Sequence, residues 1–312
     1  MKKVILVTTV FLSAVFFCAC EDEKLKGISG ITIENFPKLD GSTSNEPLMR
    51  IIACRLLGVE YEWVNGMGVS TVRSKNYYIE NLELVKTSQT HNAILNVIDG
   101  TAEVVLSARK MSSEEKQYAD GKGVTLIETP IALDAFIFIV NAKNPVNSLT
   151  HNEIIGIYTG QYTHWKQVGG NDSVMHPYVR NQNSGSQELM ESLVMQGTPI
   201  ADFAVDYEPT VYGMLPVYHQ LRLDENGICY IVYYYHDKMI ENEAKEHIKK
   251  LAINGIAPNS ETIKNGKYPY VEPVYAVIRS DLDRNSMAYK LYEWLQTKDG
   301  KKVIKESGYI LK

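Results

Sequence analysis

Ten successive residues, Ile131 to Val140, are apolar except for Asp134. A run of that length, rich in β-branched and aromatic side chains, exceeds the usual strand. It fits a buried strand that leaves one hydrophobic core and enters another. A second apolar run, Tyr270 to Ile278, supplies a crossing back. In a chain of 312 residues, too long for one small core, two crossings imply two lobes. Lobes joined in this way form a hinged clamp.

Around these runs, strand and helix patterns alternate. Ile31 and Ile33 alternate with polar residues and predict a first strand leading into Asp40-Gly41-Ser42-Thr43-Ser44. Glu46–Gly58 reads as a helix, with Pro47 in its first turn and a glycine stop. Val59–Val64 predicts a second strand, His91–Asp99 a helix closed by Gly100, and Thr101–Leu106 a strand ending at Ser107-Ala108-Arg109. Met67–Asn81 resists assignment, and its Tyr77-Tyr78 suits either a wall or a core. This order implies a parallel α/β sheet, in which ligands sit outside the carboxyl ends of the strands. Thr150 with Glu153 reads as a capping box for a helix to Tyr158. Further on, Ile228–Tyr235 predicts a strand, Lys238–Leu251 an amphipathic helix, and Ser286–Thr297 and Lys301–Glu306 the closing helices.

Chemistry concentrates in Val179 to Gly197. Arg180, three spacer residues and Ser184-Gly185-Ser186 run straight into a helix. The first turn of a helix leaves backbone N–H groups unpartnered and carries partial positive charge. Hydroxyls and a glycine there, beside a guanidinium, form a socket for a tetrahedral oxyanion. No neighbouring base activates either serine. Ser42-Thr43 and Thr87-Ser88-Gln89-Thr90 precede helices in the same layout. A Ser or Thr before one helix is ordinarily a cap; three such starts, one with an arginine, point to a shared ligand.

A formal net charge of −5 argues against nucleic acid as a partner. Lys2-Lys3, the apolar stretch Val4–Phe17 and Ala19-Cys20 resemble a bacterial lipoprotein signal with Cys20 lipidated; a plain signal peptide is the alternative. Cys54 and Cys229 lie in apolar surroundings and read as buried small hydrophobes rather than a disulfide framework.

Several stretches in order resemble the solute-binding proteins of phosphate ABC transporters (PstS-type): residues 36–48, 100–115, 131–170, 179–188, 255–278 and 294–310. The resemblance implies a type II periplasmic-binding-protein fold, two α/β lobes joined by two crossing strands. With the N-terminus read as a signal peptide over 1–19 and the polar stretch after it as a tether over 20–30, it implies lobe I over 31–133 plus 274–312 and lobe II over 134–273. Phosphate ligands would be Ser42, Thr43, Thr90, Arg180, Ser184, Gly185 and Ser186, with Gly41, Ser107, Arg109 and Asp134 as possible additions. A monomeric lipoprotein would then deliver phosphate to a permease, with no cofactor, metal or catalytic residue. Ser107-Ala108-Arg109 departs from members with an Asp that accepts the proton of hydrogen phosphate; Asp40, Asp134 and Glu188 are candidate substitutes. Another tetrahedral oxyanion, or a surface lipoprotein without transport, remains open. His91 beside the second loop suits a base, a ligand donor or an exposed residue. Glu243 and His247 have i, i+4 metal spacing, which a solvated helix face also explains.

Overall fold

The computed structural model describes residues 25–76, 84–203 and 207–312. The signal peptide, Cys20 and Tyr77-Tyr78 lie outside these residues. The long apolar run is one strand, β5 (Leu126–Asn141). Its two ends do different work. Residues 126–135 pair antiparallel with β13 (Val271–Arg279), which also pairs with β4 (Val104–Ser107); β4 in turn runs parallel to β1 (Leu39–Gly41). Residues 136–141 pair instead with β10 (Gly227–Val232) and β11 (Ile248–Lys250), and β7 (His176–Pro177) extends that side beside β10. A single strand thus carries the chain from lobe I to lobe II. Phe136 to Val140 are fully buried because both of their faces are covered.

Lobe I is layered on both faces of its sheet. Along β4, Val104 and Leu106 enter the main core while Val105 faces a smaller one, as a two-residue period requires. Helix α1 (Glu46–Leu56) packs Leu48, Met49, Ile51 and Ile52 on the first side. Helix α2 (Gln89–Ile98) packs Ala93, Ile94, Val97 and Ile98 on the other, and α3 (Ser113–Gly121) adds Ala119. Lobe II contains α4 (His151–Tyr158), opened by the expected box: Thr150 Oγ1 accepts from Glu153 N at 3.2 Å, and Glu153 Oε2 accepts from Thr150 N at 2.7 Å. It also contains α5 (Gly185–Leu189), prolonged by a π-helical turn to Met195, and α6 (Leu215–Leu223). Helices Met287–Trp294 and Lys298–Glu306 close lobe I.

Three local expectations fail, and the second strand holds but joins a different sheet. Ile31 and Ile33 lie in turns before β1, and Ile33 is exposed. Val59–Val64 contributes to β2 (Tyr61–Gly66), which pairs only with β3 (Val69–Ser74) in a hairpin outside the main sheet. The strand from Ile228 stops at Val232; Tyr233, Tyr234 and Tyr235 enter helical turns and are all buried, Tyr234 stacking on Tyr309 at 3.7 Å. Lys238–Leu251 breaks into a turn of helix, Asn242–Lys245, and β11. Pairing of β11 with β5 outweighs the helical propensity there. The division of the glutamate and histidine between these elements also ends their shared face: Glu243 is helical and His247 is not.

Candidate functional site

The first loop is strapped to the end of β4. Ser42 N donates to Leu106 O at 3.0 Å, and Asn45 Nδ2 donates to the same carbonyl at 2.8 Å. Gly41 fits because a Cβ there would stand 2.6 Å from Leu106 O. Ser42 Oγ accepts from Ala108 N at 2.9 Å and lies 2.9 Å from Thr90 Oγ1. Asp40 joins the first loop to the second. Its Oδ1 accepts from Gly41 N and Ser88 N at 2.7 and 2.9 Å, and its Oδ2 accepts from Asn96 Nδ2 at 2.7 Å. Gln89 opens α2 with φ +66°, a conformation costly for a non-glycine residue and found at sites where the surroundings over-determine the backbone.

On lobe II, Arg180 sits in β8 (Val179–Arg180), which pairs with β9 (Thr210–Val211). Its backbone N donates to Gln187 Oε1 and Tyr230 OH, both at 3.1 Å, and its Nε donates to Val211 O at 3.0 Å. The guanidinium is buried, which lowers its pKa, and Nη1 has no protein partner. Ser184 caps α5, its Oγ accepting from Gln187 N at 3.1 Å. Asn183, with φ +64°, turns the loop into that cap.

These three loops converge. Ser42, Thr43, Thr90, Arg180, Ser184, Gly185 and Ser186 all line one cavity of about 200 Å3 between the lobes. Arg180 is its one charged lining residue among the described residues. The lobes touch across it: a Cβ on Gly185 would lie 2.4 Å from Thr90 Oγ1. The cavity is also lined by Ser44, Gln89, Ala108, Asn181, Gly213, Met214 and Val232. Gln89 and Asn181 belong to the loops already singled out; Gly213-Met214, ahead of α6, carries no polar signal by which sequence would have flagged it. A larger cavity of about 520 Å3 lies beyond Gln187, lined by Glu191 and Asp202 and by no arginine or lysine, and so is ill suited to an anion.

The possible additions fall elsewhere. Gly41, Ser107, Arg109 and Asp134 do not line the site cavity. Gly41 is pressed against β4, and Ser107 Oγ donates to Arg109 O at 2.5 Å. Arg109 forms a bidentate pair with Glu115, both bonds 2.8 Å. Burial acts to raise the Glu115 carboxyl, but Arg109, Ser112 and His91 together hold its pKa below the ordinary value. His91 Nδ1, 2.9 Å from Glu115 Oε1, belongs to that cluster. Asp134 is buried beside the crossing, its Oδ1 accepting from Ala135 N and Tyr234 N at 2.8 Å and its Oδ2 unpartnered. Asp40 and Glu188 do not line the cavity either. Among the described residues no His, Cys, Asp and Glu cluster suits a metal, and no helix is long and apolar enough to cross a membrane.

The profile of the PBP superfamily domain matches residues 38–299. The chain belongs to this superfamily. A phosphate-binding protein PstS of Borreliella burgdorferi is 24% identical over 315 residues, covering 99% of each chain. Among solved structures, an ABC-type phosphate transport receptor from Vibrio cholerae aligns with a TM-score of 0.62 at 23% identity, covering 88% of this chain and 99% of its own. PstS from Borrelia burgdorferi aligns at 0.51 and 20%, covering 87% and 96%. The architecture is the type II periplasmic-binding-protein fold, with a lobe-crossing strand and a cavity between the lobes.

Proposed function

We propose that the chain captures inorganic phosphate in the interlobe cavity and hands it to the permease of an ABC transporter. The observation that carries this reading is Arg180: a buried guanidinium whose Nη1 has no protein partner, at a cavity lined by hydroxyls and by the starts of α2 and α5. A buried charge of this kind is costly unless a counter-charge arrives from outside. Ser42, Thr43, Thr90, Ser184, Gly185 and Ser186 supply hydroxyl and backbone donors around it, and the relatives' phosphate-binding names support the choice of anion. The lobes divide as 31–133 plus 274–312 and 134–273. The protein acts as an extracytoplasmic monomer, tethered through lipid on Cys20 and a linker to residue 30, with binding and release as its whole chemistry.

A second reading is a binder of another tetrahedral oxyanion, favoured by a lining without a carboxylate. Hydroxyls donate or accept, so they serve hydrogen phosphate and sulfate alike, whereas a carboxylate only accepts. Calorimetric titration of phosphate-stripped protein tests both readings. Phosphate should bind, and Arg180→Ala should weaken it by about 2–5 kcal/mol; an unchanged dissociation constant removes the role given to Arg180. Sulfate binding as tight as phosphate would decide for the second reading.

A further inference from the structure

The β2–β3 hairpin takes no part in the anion site, yet it spans the cleft. Its root belongs to lobe I. Val72 is buried in the core beside α1, and Tyr61 shares the Glu306 carboxylate with Arg55 of α1, whose Nε donates to it at 3.0 Å. Its tip leaves that core. Met67 and Gly68 reverse the chain with φ of 53° and 86°, and Met67 is 95% exposed.

From there the tip contacts lobe II at two places. Glu241 N donates to Gly68 O at 3.1 Å, and Val69 forms an antiparallel bridge with Ile240. Gly68 also faces α6: a Cβ built on it would lie 3.4 Å from Leu215 Cδ1. Leu215 follows directly on Met214, which lines the anion cavity. Met239 and Ile240 are buried, so the docking edge is anchored in the core of lobe II.

We propose that the β2–β3 hairpin is a strap across the cleft, latched onto Ile240-Glu241 and Leu215 when the lobes close, that favours the closed form and slows anion release. The inference rests on the capture reading, since release is what the strap slows. Its root is fixed to α1 and Glu306, so a rotation about the β5 crossing that opens the cleft also draws the tip away from Glu241. A contact present only in the closed form adds to the affinity of any ligand that binds that form. The hydrogen bond is between backbone groups, so it operates whatever side chains the tip carries. One backbone hydrogen bond with its packing corresponds to about a five- to tenfold change in release rate.

Glu241→Pro isolates that bond. Glu241 has φ −67° and ψ 150°, which proline adopts, and Ile240, with φ −75° and ψ 131°, suits the position before proline. The substitution removes the N–H, while Glu241 O still accepts from Ala244 N and Lys245 N. Glu241→Gln keeps the N–H and serves as the control. A second variant replaces Asn65 through Ser70 by an Asn-Gly turn, closing the hairpin at the Val64–Thr71 pair and deleting the tip.

Full-length protein loaded with radiolabelled phosphate is diluted into excess unlabelled phosphate. Release should be about five- to tenfold faster in Glu241→Pro and in the shortened hairpin, and at the wild-type rate in Glu241→Gln. Wild-type rates in both altered forms overturn the strap. Small-angle scattering of ligand-free protein provides the separate arm: both altered forms should have a larger radius of gyration than wild type and Glu241→Gln. If wild-type protein takes up no phosphate, the capture reading falls, and an unchanged radius in both altered forms then overturns the strap as well.

Discussion

Arg109 and Arg180 are both almost fully buried, the first just past β4 in lobe I and the second in β8 of lobe II, yet they do opposite things. Arg109 has a carboxylate of its own. Both terminal nitrogens meet Glu115, which the capping box at Ser112 already holds in place, with Ser112 N donating to Glu115 Oε2 at 2.8 Å. Arg180 has only carbonyl Val211 on its Nε and nothing on Nη1, and its pKa is lowered by burial. A buried arginine that is neutralised internally builds the lobe. One left without a counter-charge marks where an external anion completes the structure. Within a single chain the two arginines therefore separate architecture from ligand capture.

Substitution should break this contrast cleanly. Arg109→Ala leaves Glu115 buried without its guanidinium, held only by Ser112 N and His91, so chemical denaturation should show a stability loss of about 3 kcal/mol. Anion affinity of the protein that remains folded should stay close to wild type, whereas Arg180→Ala should show the reverse pattern, with the larger loss in affinity. Equal effects of the two substitutions on affinity would erase the distinction. Gly185→Ala sharpens the lobe II side. Its Cβ would lie 2.4 Å from Thr90 Oγ1, so the lobes could not close fully, and calorimetry should read an affinity loss of about 1–3 kcal/mol. Ser184→Ala removes the cap on Gln187 N and should cost about 1 kcal/mol of stability in urea unfolding.

Asp134 extends the comparison to a buried acid with no cation beside it. Burial pushes its carboxyl up to about 7, against an ordinary value of 3.8. Between those two values the folded chain holds a proton that the unfolded chain has released. Stability should therefore fall as pH rises from about 4 to about 7 and level off above. Urea unfolding at stepped pH should show this slope in wild type and a flatter one in Asp134→Asn; identical slopes would mean that Asp134 is already ionised in the folded chain.

The two regions were also unequally legible in sequence. Around Arg180, the signals are local: an arginine, a hydroxyl cap and a helix lie within a few residues, so chain order alone assembles half the cavity. Ser42, Thr43 and Thr90 stood out for the same reason, as residues preceding helices. Around Arg109, the deciding partner is also close in sequence, but Glu115 in a capping box looks like any other helix start. Only packing shows that its carboxylate is turned back under the strand. The misread stretch Lys238–Leu251 has helix-forming composition, and what overrules it is β5, more than a hundred positions earlier in its partner residues Ile139–Asn141. The second arm of the hairpin is not legible in sequence, because Val69–Ser74 has no strong alternation and the tip gains meaning only against Glu241.

Capping residues, glycine stops and an apolar run longer than one core were enough to determine two α/β lobes, a crossing strand and an anion-grade loop at Arg180, because each depends on neighbours along the chain. Which buried charges find partners, and which loops share one cavity, was decided only in three dimensions. Electrostatic compensation and cavity shape depend on distances through space between segments that the order of residues leaves undetermined.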